Sequence, residues 1–180
     1  MSNELAPLVT IARGARTDRE ELIRANQDSR AHHLPWADPF TDDAGFDIWL
    51  ARTLTGPHVG LVARDIATKR IVGVVNLNEI VLGAFRSACL GYYGMAWCAG
   101  RGLMTQAVGL AVRYTFDTLG LHRVEANIQP GNARSIALVR RLAFTSEGFS
   151  PHYLNIGGAW RDHERWARLA DQDGSVNAPP

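Results

Sequence analysis

The stretch that most constrains this chain is residues 90–119, LGYYGMAWCAGRGLMTQAVGLAVRYTFDTL. It reads as a strand over 90–93, a turn holding Gly100, Arg101 and Gly102, and an amphipathic helix from Leu103. Leu103, Ala107, Leu110, Ala111, Tyr114 and Leu119 fall on one stripe at helical spacing. A tight turn feeding a helix leaves backbone N–H groups unpaired at the positive end of the helix dipole, which makes an anion site. Glycines on both sides of Arg101 remove the Cβ atoms that would hold a phosphate away. No GxxxxGK[ST] follows, so the turn is not a Walker-type nucleotide loop. An ordinary strand-to-helix turn has the same composition, and the flanks have to decide between the two.

In chain order, residues 8–12 read as a first strand. Thr17 or Asp18 is placed to cap a helix through Gln27, and Asp42 or Asp43 to cap a second over 44–54. Between them His32, His33, Leu34, Pro35 and Trp36 form a loop. Its adjacent histidines would point apart on regular structure, so they make no metal pair. Strands over 59–63 and 71–77, joined by the polar turn 65–69, form an antiparallel meander with the strand at Leu90. Residues 123–128 are a strand reached by a helical crossover, so it should lie parallel to the Leu90 strand. Pro130 and Gly131 then turn the chain, and Asn132 is a candidate cap for a helix burying Ile136, Val139 and Leu142. Strands over 145–149, 153–156 and 160–167 close the fold, the last two across the turn Gly157-Gly158. The expectation is one α/β (α+β) domain over 1–170, with a mixed, mostly antiparallel sheet and about four flanking helices. Polar residues 171–180 read as a disordered tail.

Composition narrows the function. A net charge of +1 without a basic run argues against nucleic acid as a partner. Cys89 and Cys98 are the only cysteines and have no metal-ligand spacing, so no metal is expected. No apolar run reaches the ~20 residues of a membrane span, and the first residues lack an apolar signal core, so a cytoplasmic protein is expected.

The glycine turn also matches the end of the Q/R-x-x-G-x-G/A acetyl-coenzyme-A signature. Its flanks add Asn76-Leu77, Ala88-Cys89-Leu90-Gly91-Tyr92, Leu103-Met104, Leu121 to Asn127, Pro130 to Ser135 and Gly158 to His163. Over roughly Trp36 to Leu169 the chain resembles the GNAT N-acetyltransferases, in particular the RimJ/RimL type that acetylates the N-terminal amine of ribosomal proteins. The signature's first position falls on Trp97, where Gln or Arg is usual. The family's Leu-Gly-Phe after the last helix is Leu142-Ala143-Phe144 here.

The resemblance implies a GNAT fold whose two parallel strands splay apart. The pantetheine arm of acetyl-coenzyme A then lies in the gap against Tyr92, Tyr93 and Gly94. The pyrophosphate sits on Ala99, Gly100, Arg101, Gly102, Leu103 and Met104, and Asn132 holds pantetheine amides or merely caps its helix. An amide near Met95 serves as oxyanion donor. The loop carrying Trp36 edges the acceptor cleft, which Tyr153 and Asp162 would face from the closing hairpin. The resemblance admits a homodimer.

Acetyl transfer to an amine needs a deprotonated nucleophile, a stabilised thioester oxygen and a relieved thiolate. Ser135 matches the family's Asn-x-x-Ser serine and is the candidate leaving-group acid; a serine third in a helix can also serve only the helix start. Glu79 is the candidate base, or a solvated turn carboxylate; Glu125 also aligns with a family position. The acceptor is a protein N-terminal α-amine or a small amine such as an amino acid, polyamine or antibiotic. A non-catalytic acyl-coenzyme-A sensor is the remaining reading.

Overall fold

The computed structural model describes residues 7–173. Its regular elements are β1 (Val9–Arg13), α1 (Arg19–His33), α2 (Asp43–Thr55), β2 (Val59–Asp65), β3 (Ile71–Val81), β4 (Ser87–Gly94), α3 (Leu103–Arg113), β5 (Arg123–Ile128), α4 (Ala133–Arg141), β6 (Thr145–Ile156) and β7 (Ala159–Leu169). A π-helical turn, Tyr114–Thr118, prolongs α3. The strands form one seven-stranded sheet in the order β1-β2-β3-β4-β5-β7-β6. Every neighbouring pair is antiparallel except β4 and β5, which are parallel. The mixed α/β architecture expected from the sequence is therefore present.

Helices α1 and α2 cover one face of the sheet, and α3 and α4 cover the other. With both faces covered, β2 and the first half of β3 are buried without alternation, which explains their continuous apolar runs. Phe46 on α2 and Leu22 on α1 are fully buried beneath one layer, and Ala107, Val108 and Ala111 on α3 beneath the other. Each large apolar side chain buried this way stabilises the fold by roughly 1.5–3 kcal/mol. No helix among the described residues is long and apolar enough to cross a membrane.

Several boundaries differ from the sequence reading. Helix α1 continues past Gln27 to His33 because its inner stripe continues in polar residues, Asn26, Ser29 and His33, all buried. It stops at Leu34, the residue before a proline, where the helical conformation is disfavoured. Asp18 does not cap α1 with its side chain: the carboxylate accepts from the Ala15 N–H at 2.8 Å and pairs with Arg64 at 2.8 Å. Asp42 does cap α2, accepting from the Gly45 N–H at 2.8 Å. Strand β3 runs four residues beyond Leu77, through an irregularity between Asn78 and Val81. The two strands expected over 145–156 are one strand, β6, whose register shifts twice against β7. Residues Ala170–Asp173 form a short helical turn, and the rest of the expected tail, 174–180, lies outside the described residues. Ala143 takes the left-handed conformation after α4 with φ +57°, the position where the family has glycine.

Candidate active site

Strands β4 and β5 pair from Ser87 with Arg123 to Leu90 with Ala126, and pairing stops there. Strand β4 nevertheless continues to Gly94 and β5 to Ile128, so the sheet opens into a wedge between them. The Met95 N–H donates to the Val72 carbonyl at 2.8 Å. Strand alternation then turns the backbone groups of Tyr93 toward β3 and those of Tyr92 and Gly94 into the opening. This corrects two expectations. The Met95 amide is committed to the sheet and is not free to serve an oxyanion, and Tyr93 offers the opening no backbone. The amides turned into the wedge are those of Tyr92 and Gly94.

Beyond β4, a short helical turn over Ala96–Cys98 leads to Gly100 and Gly102, both at φ +76°. That left-handed conformation strains any residue with a Cβ, and a Cβ built at either position meets nothing within 4 Å, so the space before the turn is open. The Gln106 N–H bonds to the Gly102 carbonyl at 3.2 Å and closes the first turn of α3. The amides of Leu103, Met104 and Thr105 therefore have no intrahelical acceptor. The amides of Ala99 and Arg101 are spent inside the turn, on the carbonyls of Ala96 and Cys98, which removes them from the expected pyrophosphate contacts.

The turn is held from below. Met104 lies against Gly73 and Gly94, where a Cβ would sit 2.5 Å and 2.6 Å from its side chain. The Trp97 indole N–H donates to the Ile71 carbonyl at 2.8 Å, and the guanidiniums of Arg70 and Arg101 lie 4.2 and 5.5 Å from its ring centre. Burial raises the Cys98 thiol pKa, so this neighbour of the turn stays protonated.

On the α3/α4 face, the hydroxyls of Tyr92 and Ser135 lie 2.5 Å apart. Burial pushes the Tyr92 phenol up to about 12, against the lowering effect of that hydrogen bond. Asn132 caps α4, its side-chain oxygen accepting from the Ser135 N–H at 3.2 Å. Only its amide NH2 is left for a ligand.

On the opposite face, Trp36 reaches Gly131 in the turn after β5, where a Cβ would come within 2.9 Å of its ring. The α1–α2 loop thus crosses to the far wall of the wedge. Three buried α1 side chains fix it to the site, and none was expected from the apolar pattern. Asn26 donates to the Phe40 carbonyl at 2.9 Å, the Ser29 hydroxyl accepts from the Ala96 N–H at 3.0 Å, and His33 Nε2 lies 3.0 Å from the Gly94 carbonyl. The imidazole also meets the Tyr93 ring edge-on at 5.0 Å. Burial lowers the His33 pKa and keeps it neutral, so Nε2 carries the proton it donates. The available signal was a spacing of 3 or 4 that carries the stripe from the apolar Leu22 into the polar Asn26, Ser29 and His33.

Tyr153 sits beside the buried His163, ring centres 6.1 Å apart. The Asp162 carboxylate accepts from the His152 N–H at 2.8 Å and so holds the hairpin together. Glu79 is exposed and pairs with Arg52 at 3.5 Å. It follows Asn78, the register partner of Cys89 at the closed end of the wedge, and lies four residues along β3 from Val75, which faces Tyr92. That separation is roughly 13 Å at strand rise.

A wedge in the sheet, an open glycine turn beside it and a buried hydroxyl pair on its wall can hold a long ligand carrying a phosphate at one end and a reactive group at the other. Comparison with known proteins agrees. The chain is 46% identical over 100 residues to the [ribosomal protein uS5]-alanine N-acetyltransferase of Escherichia coli (strain K12), covering 55% of this chain and 51% of the relative. It spans about half the length of that curated relative. A structure of the ribosomal-protein-S5-alanine acetyltransferase from Vibrio fischeri superposes with a TM-score of 0.80 at 27% identity, covering 95% of this chain and 97% of that one. Mycobacterium smegmatis RimJ in complex with CoA-disulfide gives a TM-score of 0.81 at 27% identity, covering 91% and 83%. The acetyltransferase (GNAT) domain family matches residues 9–145, and the chain belongs to that family.

Proposed function

We propose that the protein transfers the acetyl group of acetyl-coenzyme A to the N-terminal α-amine of a protein, a ribosomal protein being the class its relatives are named for. The observation that carries this reading is the wedge itself: strand backbone at Tyr92 and Gly94 without a sheet partner, ending at free helix amides. Bound acetyl-coenzyme A supplies an acyl group already activated as a thioester. Leu103, Met104 and Thr105 offer backbone N–H groups to its pyrophosphate, and Gly100 and Gly102 let it approach. Tyr92 and Gly94 would offer backbone N–H groups to the pantetheine amides or the thioester oxygen, and the Gly94 carbonyl is already held by His33.

Ser135 donates a hydrogen bond to the departing sulfur, and the Tyr92 hydroxyl holds it in place. A phenol near 12 does not yield its proton to a thiolate with a conjugate acid near the cysteine value of ~8.5. The pair therefore eases charge on sulfur, and the proton lost by the amine completes the thiol. The amine needs little help. At pH 7.5, deprotonating an α-amine of pKa ~8 costs about 0.7 kcal/mol, against about 4 kcal/mol for a lysine side chain. A water chain reaching solvent suffices. The test is an initial-rate screen of coenzyme A release with peptides beginning Ala, Ser or Met against free amino acids and polyamines. Turnover confined to the peptides is expected; turnover confined to the small amines would transfer the reading to them.

A further inference from the structure

One row of residues crosses the sheet at the point where β4 and β5 part. It runs Asn76 on β3, Gly91 on β4, Asn127 on β5 and Arg165 on β7. Asn127 is the first residue of β5 beyond the last paired position, and Arg165 is its register partner. The row lies on the α1/α2 face, opposite Leu90, Tyr92 and Ala126. Asn76 is occupied there by the Trp49 indole, and Gly91 presents no side chain. Two polar atoms of the row are buried with no partner among the described residues: the side-chain oxygen of Asn127 and Nε of Arg165. Buried polar atoms without partners are uncommon, because each forfeits its hydrogen bond to water. Here one is an acceptor and the other a donor, on adjacent strands with Cβ atoms about 5 Å apart. Arg165 feels the charge of Glu147, but the Glu147 carboxylate and that of Glu125 in the next row both pair with Arg123, and neither accepts a hydrogen bond from Arg165 Nε.

We propose that Asn127 and Arg165 read the acceptor's first residue. The Asn127 oxygen accepts from the α-amine and aims it at the wedge, and the Arg165 guanidinium donates to the carbonyl of that same residue. The pairing needs a donor and an acceptor two bonded carbons apart, which an aminoacyl terminus has and a polyamine lacks. A polyamine brings a second cation toward Arg165 instead, and is disfavoured. This inference rests on the acetyl-transfer reading and gives it a substrate class: amines bearing an α-carbonyl.

The experiment uses two acceptors, a peptide beginning Ala and the same peptide with its first amide replaced by a trans-alkene, which removes the carbonyl without adding a charge. Rates of the wild-type protein, Arg165→Met, Arg165→Lys and Asn127→Ala are compared per free amine, each divided by the neutral fraction given by that acceptor's titrated pKa, with melting curves and acetyl-coenzyme A affinity measured alongside. The wild type should prefer the carbonyl-bearing peptide by about tenfold to a hundredfold in kcat/KM, the range of a hydrogen bond to a charged group. Arg165→Met should bring that ratio close to one, and Arg165→Lys should restore part of it. Asn127→Ala should lower both acceptors together and keep the ratio. Equal wild-type rates on both acceptors, or an Arg165→Met protein with the ratio intact, overturns the inference while leaving acetyl transfer in place. A wild-type protein that binds acetyl-coenzyme A and acetylates neither peptide overturns the transfer reading itself.

Discussion

The Tyr92 hydroxyl lies 2.5 Å from the Ser135 hydroxyl, joining the unpaired end of β4 to the first turn of α4 across the wedge. If Ser135 relieves charge on the leaving sulfur, its loss is felt in the transition state and not in donor binding. Ser135→Ala should lower kcat by about tenfold to a hundredfold with the acetyl-coenzyme A KM nearly unchanged, at or below the floor of the general acid range because a thiolate leaves readily. Tyr92→Phe should lose less, since the serine keeps its hydroxyl. Steady-state kinetics separate the cases: a raised donor KM at constant kcat in Ser135→Ala would make the serine a binding residue.

Gly102→Glu should abolish acetyl-coenzyme A binding in a folded protein. It brings a carboxylate to the open space before the helix start. Gly102→Ala is the control, because it carries the same left-handed strain, on the order of 1–2 kcal/mol, without the charge. Calorimetry should find binding in the alanine variant and none in the glutamate variant.

His33 predicts an acid weakness. Burial lowers its pKa, so between the folded value and the ordinary 6.5 the unfolded chain binds a proton that the folded protein does not. Its contribution to stability is complete above pH 6.5 and falls as pH drops from there to the folded pKa. His33→Asn should flatten the change in urea midpoint over that window while lowering the midpoint at pH 7.5. A wild-type midpoint that rises on acidification through 6.5 would contradict the neutral, buried imidazole.

Ala143 stands at φ +57° after α4, where an L side chain is strained and glycine is not. Ala143→Gly should stabilise the protein by up to about 1 kcal/mol, set by that strain less the extra freedom glycine gives the unfolded chain. The urea midpoint should rise with an unchanged slope.

Much of this fold is written in the sequence as period and punctuation. The choice of Asp42 over Asp43 as the cap of α2 needed the structure, whereas the helix after Gly102, the crossover to β5 and the cap at Asn132 follow from spacing and residue type. The end of α1 does not, because its buried stripe is made of Asn26, Ser29 and His33, which look solvated until the loop carbonyls and amides they bind are in place. The same blindness hid Asn127 and Arg165: one-dimensional pattern cannot say that a strand's partner has left. Glu79 shows a different limit: a carboxylate after a central strand reads equally as a base or as a solvated turn residue, and the irregularity beyond Asn78 leaves it exposed beside Arg52.

The most direct test of the whole account is tandem mass spectrometry on a peptide that begins with Ala and carries one internal Lys, after incubation with the protein and acetyl-coenzyme A at pH 7.5. The expected product carries a single acetyl group on the Ala nitrogen, formed with stoichiometric release of coenzyme A and missing when Gly102→Glu replaces the wild type. Acetyl groups on the lysine alone, or an unmodified peptide in the presence of a protein that binds acetyl-coenzyme A, would contradict an N-terminal α-amine acetyltransferase.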